Sequence, residues 1–300
     1  MIEIKDVTIT LPKKIVFNSS IEKKYNFKKN QIFDKTGIIK RFVSASNDTS
    51  EKYAIKSAKT LKKKNNFKNV THIISVTNTP SVLFPSIANF VSSSLKLNNN
   101  VHCIGINSGC TGFVDAILLA YKLIEKRKKN SVLITTSDTY SKYIYDRSTV
   151  PLFSDGGSAI LINYSKKGMK LKDYYCSNME NSQFDLSFEN SEKPRIKMNG
   201  PNVLSFTLSN VLPVLSSFIK KNEKVTLFCH QGGKIICEAV KDVLPKNVIF
   251  PENYKSYGNL VSTSIPNLIK ENKKLLKKKG KIIFSGFGVG LSQAHAVFIN

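Results

Sequence analysis

The chain has 300 residues, of which 41% are hydrophobic, with ordinary glycine and proline content and no tryptophan. That composition excludes a disordered, fibrous or disulfide-scaffold chain and leaves either one large domain or two fused halves. The formal net charge is +25, from 46 Lys and Arg against 21 Asp and Glu. Only Arg41, Arg127, Arg147 and Arg195 are arginines, and the lysines fall in runs such as 62–64, 126–129 and 273–279. With no motif of a nucleic-acid reader beside them, these runs are read as solvated helix ends that create a field attractive to acidic partners.

Apolar runs of strand length alternate with longer stretches of helical period, the order of an α/β protein. Strands are predicted over 2–10, 72–77, 101–106, 132–137, 158–163, 225–229, 248–250, 282–285 and 294–299. Helices are predicted over 50–64, 87–95, 111–127, 203–220, 233–243, 262–270 and 271–278. Residues 1–5 lack the basic-then-apolar order of a signal peptide, and no run of about 18 apolar residues occurs, so a cytoplasmic protein without membrane insertion is expected.

The second half repeats the order of the first. "NVTHIISVTNTP" pairs with "EKVTLFCHQGGKII", "NVHCIGINSGCTGFVDAI" with "NVIFPENYKSYGNLVSTSI", "SVLITTSDTY" with "GKIIFSGFGVG", and "DGGSAILI" with "LSQAHAVFI". Each pair is weak by itself, but the common order points to an internal duplication, with halves at 1–165 and 166–300 joined near "YSKKG". A pseudo-twofold axis would bring equivalent loops to one centre. Those loops carry Cys110 in the first half, and His230 and Asn259 in the second.

The cysteines at 103, 110, 176, 229 and 237 form no CxxC pair, and the histidines at 72, 102, 230 and 295 do not fall at zinc-ligand spacing. No metal site is expected, and the thiols are read as reduced. Cys110 follows a strand and a Ser108-Gly109 turn and opens a helix, where unpaired amides and the helix dipole would lower its pKa toward a thiolate. The alternative is a small buried hydrophobe, the reading kept for the other four cysteines. His230 ends an apolar strand and is either a donor or base near neutral pH, or a satisfied strand-end side chain. Asn259 sits in a turn entering a helix, where it is either a functional carboxamide or an N-cap. His72, His102 and His295 are read as structural. A cysteine, a histidine and a carboxamide brought together are the parts of an acyl-transfer site. "GFGVG" resembles a dinucleotide fingerprint, but the alternating "LSQAHAVFI" after it is a strand pattern, and no P-loop or GxSxG elbow occurs.

These segments resemble the β-ketoacyl-acyl carrier protein synthase III family and its thiolase-fold relatives. The resemblance is carried in order by "KTGIIKRFV", "FPS", "SGCTGF", "DRSTVPLFSDGGSAILI", "IKMNG", "HQGGKII", "YGNLVSTSIP" and "GFGVGLSQA". The "DTYSKYI" and "HQGGKII" segments look like a branch associated with specialised or surface-polysaccharide acyl pathways. The resemblance implies a five-layer αβαβα fold of two duplicated halves, a homodimer, and a Cys110, His230 and Asn259 triad. It implies an acyltransferase that is acylated on Cys110 and performs decarboxylative Claisen condensation with malonyl-carrier protein, with acyl-coenzyme A and acyl carrier protein thioesters as substrates and no permanently bound cofactor. It further implies an oxyanion hole from the amides of Cys110 and Val289, an acyl pocket bounded by Phe153 and by Phe84 of a neighbouring subunit, and coenzyme A contacts from Lys35 and Arg147. Gln31 stands where the family has an adenine-stacking tryptophan, and Lys234 is the nearest basic residue to the family's carrier-docking arginine. An alternative reading on the same scaffold delivers the Cys110-bound acyl group to an alcohol or amine of a sugar or specialised metabolite; Asn259 favours condensation, because simple delivery needs no enolate stabilisation.

Overall fold

Runs rich in Val, Ile and Thr assemble into two large β-sheets, beside two two-stranded ribbons, in the computed structural model, which describes residues 1–97, 100–189 and 192–300. The first sheet has the order Ile2–Thr10, Gly156–Tyr164, Ser131–Asp138, Val70–Val76, His102–Ile106, with two antiparallel junctions followed by two parallel ones. The second has the order Lys170–Asn178, Ser292–Ile299, Lys281–Gly288, Val225–Cys229, again antiparallel, antiparallel, parallel. Ile249 takes the fifth place, accepting from Leu227 N–H and donating to the Val225 carbonyl, both at 2.9 Å. The two sheets therefore share one strand order and one set of senses.

Each sheet is covered on both faces. Ser131–Asp138 is buried at every position, which is why it reads as an unbroken run instead of an alternation. Between the sheets lie helices Gly112–Lys126 and Ser264–Glu271. Phe113, Ile117 and Ile265 pack with Ile134 and Ile160 of the first sheet and with Phe228 and Phe284 of the second. Helices Ser50–Lys62 and Ile87–Ser94 close the outer face of the first sheet through Ala54, Leu61 and Val91. The helical run from Gly200 to Ser217 and helix Lys234–Val243 close that of the second through Val211, Leu215 and Val240. The result is the five-layer αβαβα order. Among the described residues no helix is long and apolar enough to cross a membrane.

Departures from the sequence reading have local causes. The helix predicted over 203–220 starts at Gly200, where Asn199 Oδ1 accepts the Asn202 N–H at 3.3 Å, and it contains a π-turn over Thr207–Val211 ahead of Pro213, which has no N–H to donate. The helix predicted over 271–278 is a 3₁₀ stretch, Lys273–Lys277, and the strand predicted over 248–250 is a single bridge. Strand Lys170–Asn178 lies at a sheet edge with most of its side chains exposed, so "KLKDYYCSN" shows no alternation to read. The ribbon Lys14–Phe17 with Lys40–Val43 and helices Asn18–Lys24 and Gln31–Thr36 are too short for periodicity to reveal.

The middle layer meets the second sheet at Gly286, where a Cβ would stand 2.5 Å from the Cys110 carbonyl oxygen and 2.9 Å from Thr111 Cα. Both are backbone atoms that cannot swing aside. Gly286→Ala is expected to lower the unfolding free energy by about 1–3 kcal/mol in a denaturant titration; an unchanged midpoint would show that the layers are less tightly joined than this contact implies.

Candidate active site

Strand His102–Ile106 delivers the chain to Gly109, whose φ of +53° and close approach to Asn78 and Val289 require glycine. A 3₁₀ turn, Gly109–Thr111, then feeds the central helix. The Thr111 hydroxyl lies 3.1 Å from the Ser108 carbonyl and 3.0 Å from Asp115 Oδ2, which ties the turn to the first helical turn. Cys110 is only 4% exposed. From the second sheet, Gly288 passes so close that a Cβ there would be 2.9 Å from Cys110 Sγ. The backbone N–H groups of Val289 and of Cys110 itself face the sulfur.

His230 follows strand Val225–Cys229; its N–H donates to the Ser285 carbonyl at 2.8 Å and its ring stands edge-on to Phe287. Asn259 is held as a strand residue would be: its N–H donates to the Leu152 carbonyl at 2.9 Å, and its carbonyl accepts from Ser154 N–H at 2.8 Å. Its carboxamide oxygen accepts the Val261 N–H at 2.9 Å, leaving the Nδ2 hydrogens for a ligand. Val261 reaches that position in the left-handed region, φ +51°, a strained conformation for a β-branched residue. Cys110, His230 and Asn259 all line one cavity of about 420 Å³. Its wall is otherwise mainly apolar, including Phe153, Leu186, Met198, Leu204 and Phe287, with Lys35 and Lys234 also lining it.

The electrostatics correct one expectation. Burial pushes the Cys110 thiol up to about 12; the Val289 amide opposes that shift, and the negative charge of Asp138 adds to it. Desolvation thus outweighs the helix N-terminus, and Cys110 rests as a thiol rather than the thiolate read from the sequence. Burial also brings His230 down to about 4, offset only in part by the Val261 backbone, and its Nδ1 has no hydrogen bond of normal geometry. The imidazole is neutral at pH 7, with one N–H to donate and one nitrogen able to take a proton. Asp138, raised to about 6 by burial, accepts from Asn78 N–H at 2.8 Å and from Ser262 Oγ at 2.6 Å. It ties the loop after Val70–Val76 to the Asn259 segment.

The remaining predicted residues divide. Phe153, 3% exposed, and Lys35 belong to the cavity. Arg147 does not: its guanidinium lies 4.3 Å over the Phe27 ring and donates to the Asn26 carbonyl at 2.7 Å. Phe84 is 82% exposed and does not line the cavity of its own chain. Gln31 begins a short helix, its Oε1 accepting from Lys28 N–H at 2.9 Å. His72 and His102 face each other on adjacent strands, and His295 Nε2 is paired with Gln293 Oε1 at 2.8 Å. Cys229 and Cys237 are buried, Cys103 is half-buried, and Cys176 is exposed on the edge strand. Leu186 and Met198, in short strands, and Leu204, in the helix from Gly200, are lining residues the sequence does not reveal, because apolar character alone does not separate a cavity wall from a core.

Two family models match the chain: 3-oxoacyl-[acyl-carrier-protein] synthase III over residues 104–178, and the C-terminal domain of that synthase over 218–299. The chain is 31% identical to a β-ketoacyl-[acyl-carrier-protein] synthase III of Clostridium novyi, covering 99% of this chain and 98% of that one. It is 30% identical to one of Staphylococcus epidermidis, with 96% and 94% covered. Among solved structures, the 3-oxoacyl-[acyl-carrier-protein] synthase III of Aquifex aeolicus superposes with a TM-score of 0.88 at 25% identity over all of both chains. The priming β-ketosynthase of the R1128 polyketide pathway shares the fold, with a TM-score of 0.89 at 20% identity over 100% of this chain and 96% of that one. The architecture is thus thiolase-like.

A thiol held near 12 reacts through its small thiolate fraction, and that fraction grows with pH. Alkylation of Cys110 by iodoacetamide, followed by intact mass, is expected to accelerate about tenfold per pH unit from 7 to 9 without levelling. A plateau near pH 7 would mean a thiolate already present at rest.

Proposed function

Because the chain belongs to the 3-oxoacyl-[acyl-carrier-protein] synthase III family, we propose that it joins a Cys110-bound acyl group to malonyl-carrier protein by decarboxylative Claisen condensation. The observation supporting this reading is the convergence of Cys110, His230 and Asn259 on one largely apolar cavity.

In the first half-reaction Cys110 Sγ attacks the carbonyl carbon of an acyl thioester. The thiol proton passes to the neutral His230 ring and then to the departing thiol, so free coenzyme A or carrier thiol leaves and an acyl-Cys110 thioester is formed. The tetrahedral oxyanion would lie between the N–H groups of Cys110 and Val289, which already face the sulfur. In the second half-reaction the malonyl thioester carbonyl accepts from Asn259 Nδ2 and from the single N–H of His230. The bond to the carboxylate breaks, carbon dioxide leaves, and the electron pair passes into an enolate held by those two donors. The enolate carbon attacks the acyl carbonyl and expels Cys110 as thiolate. A neutral imidazole suits both tasks, and burial keeps it neutral.

Lys35 at the cavity and Arg147, which stands outside it over Phe27, are assigned to the phosphate or adenine of coenzyme A. An acidic carrier protein is assigned to the cavity mouth beside Lys35 and Lys234. A homodimer is part of the reading: Leu83 and Phe84, 75% and 82% exposed, stand beside the exposed edge strand His102–Ile106 and would be covered by a second copy, where Phe84 bounds the neighbour's acyl pocket. Residues 1–165 and 166–300 are taken as the two halves, and the cytoplasm as the place of action.

Incubation with acyl-coenzyme A and malonyl-carrier is expected to give carbon dioxide and a β-ketoacyl-carrier. Cys110→Ala should lose acylation and product together, whereas Asn259→Ala should still acylate but condense about 10²–10³-fold more slowly. Acyl transfer to a hydroxyl or amine without carbon dioxide would favour the alternative delivery reaction.

A further inference from the structure

We propose that Arg41 is a positioning residue, whose buried guanidinium holds segment 151–154 so that Asn259 stands at the cavity wall in working order. The inference rests on the condensation reading above.

Arg41 lies in strand Lys40–Val43 and is 1% exposed. Its Nε donates to the Pro151 carbonyl at 2.7 Å, Nη2 donates to the same oxygen, and Nη1 donates to Asn18 Oδ1 at 2.5 Å. Among the described residues no carboxylate forms an ion pair with it. Burial brings its pKa down to about 10, opposed only by the more distant charge of Glu22. A guanidinium stripped of water and answered by neutral oxygens is costly to bury, and an apolar side chain would fill the space at lower cost. What arginine adds is a rigid fork closed on one carbonyl.

That carbonyl begins a run in which each following residue is tied to the site. Leu152 accepts the Asn259 N–H, Ser154 donates to the Asn259 carbonyl, and Phe153 bridges to Asn259 in parallel. The side chains of Leu152 and Phe153 line the cavity. On its other side the run is fastened to the arginine's own strand: Phe42 N–H donates to Ser154 Oγ at 3.1 Å, and Asp155 N–H donates to the Phe42 carbonyl at 2.8 Å. Gly258, at φ +68°, passes so close that a Cβ there would be 2.7 Å from Ser154 Oγ and 3.5 Å from Arg41 Cγ, so the stem of Arg41 packs beneath the residue that precedes Asn259. Movement at Pro151 therefore reaches the main chain of Asn259 directly. The Cys110 turn is held separately, by Ser108, Asp115 and the passing strand Lys281–Gly288. Arg41 thus bears mainly on the second half-reaction, through Asn259.

The test compares full-length wild type, Arg41→Met, Arg41→Lys, Asn259→Ala and the Arg41→Met/Asn259→Ala double variant. Acylation of Cys110 by acyl-coenzyme A is followed by intact mass, and kcat and KM are measured for carbon dioxide release from malonyl-carrier. Arg41→Met is expected to acylate within about threefold of wild type while kcat for condensation falls about 10- to 100-fold with KM little changed. Arg41→Lys should recover part of that loss, because an ammonium can still reach the Pro151 carbonyl without the fork. In the Asn259→Ala background, Arg41→Met should cost less than about threefold more, because its effect passes through Asn259. Equal losses in both half-reactions, an unchanged kcat, or full multiplication of the two losses in the double variant would overturn the assignment. Should Arg41→Met fail to fold, the half-reaction ratio in Arg41→Lys decides by the same criteria. A wild type that acylates Cys110 but releases no carbon dioxide defeats the condensation reading itself and the role of Arg41 within it; the outcomes above, on a condensing wild type, bear on Arg41 alone.

Discussion

Everything at the site depends on two backbones meeting without side chains between them. The start of the central helix lies against strand Lys281–Gly288, where Gly286 meets the main chain of Cys110 and Thr111 with no room for even one more carbon, and Gly288 lies against the Cys110 side chain. That approach places a sulfur carried by the first half under an amide of the second, at Val289. It also sets the spacing between the two sheets that Phe113, Phe228 and Phe284 then fill. Close packing of backbone on backbone is stiff because neither partner can change rotamer, so the distance from Cys110 to its surroundings is fixed by the fold instead of by side-chain choice.

The same burial that fixes the geometry sets the charge state. A thiol pushed up to about 12 and an imidazole brought down to about 4 make a neutral pair at pH 7. Neutrality costs little to bury, whereas a resting thiolate and imidazolium would each need desolvation repaid by the other. In the proposed reaction charge would develop only when a thioester carbonyl arrives to accept it, beside the Cys110 and Val289 amides that face the sulfur. Two further buried ionisable groups lie close by. Asp138 joins the loop after Val70–Val76 to Ser262, and Arg41 joins Lys40–Val43 to Pro151. Both secure segments beside the boundary between the halves, where the strand pairing between Phe153 and Asn259 is a single bridge instead of a ladder.

The repeated order of strands was legible because each half buries its central strands on both faces, which leaves unbroken apolar runs such as 132–137 and 282–285. Edge strand Lys170–Asn178 was not legible, because one exposed flank and polar partners erase the alternation. Cys110, His230 and Asn259 were legible as residue types at strand-end turns. Their protonation was not, since a helix N-terminus can be read along the chain while burial by the opposite half cannot. Arg41 was visible only as one of four arginines on a lysine-rich chain.

By itself the sequence determined the α/β class, the duplication and the three turns proposed to carry chemistry, because these follow from local periodicity and from residue type at element ends. The tertiary structure alone decided that the three turns share one cavity, that Cys110 rests as a thiol, and that Phe84 stands outside the cavity of its own chain while Phe153 stands within it. Those facts depend on which surfaces meet across the two halves and on how much water the meeting excludes, and neither is encoded within any one segment.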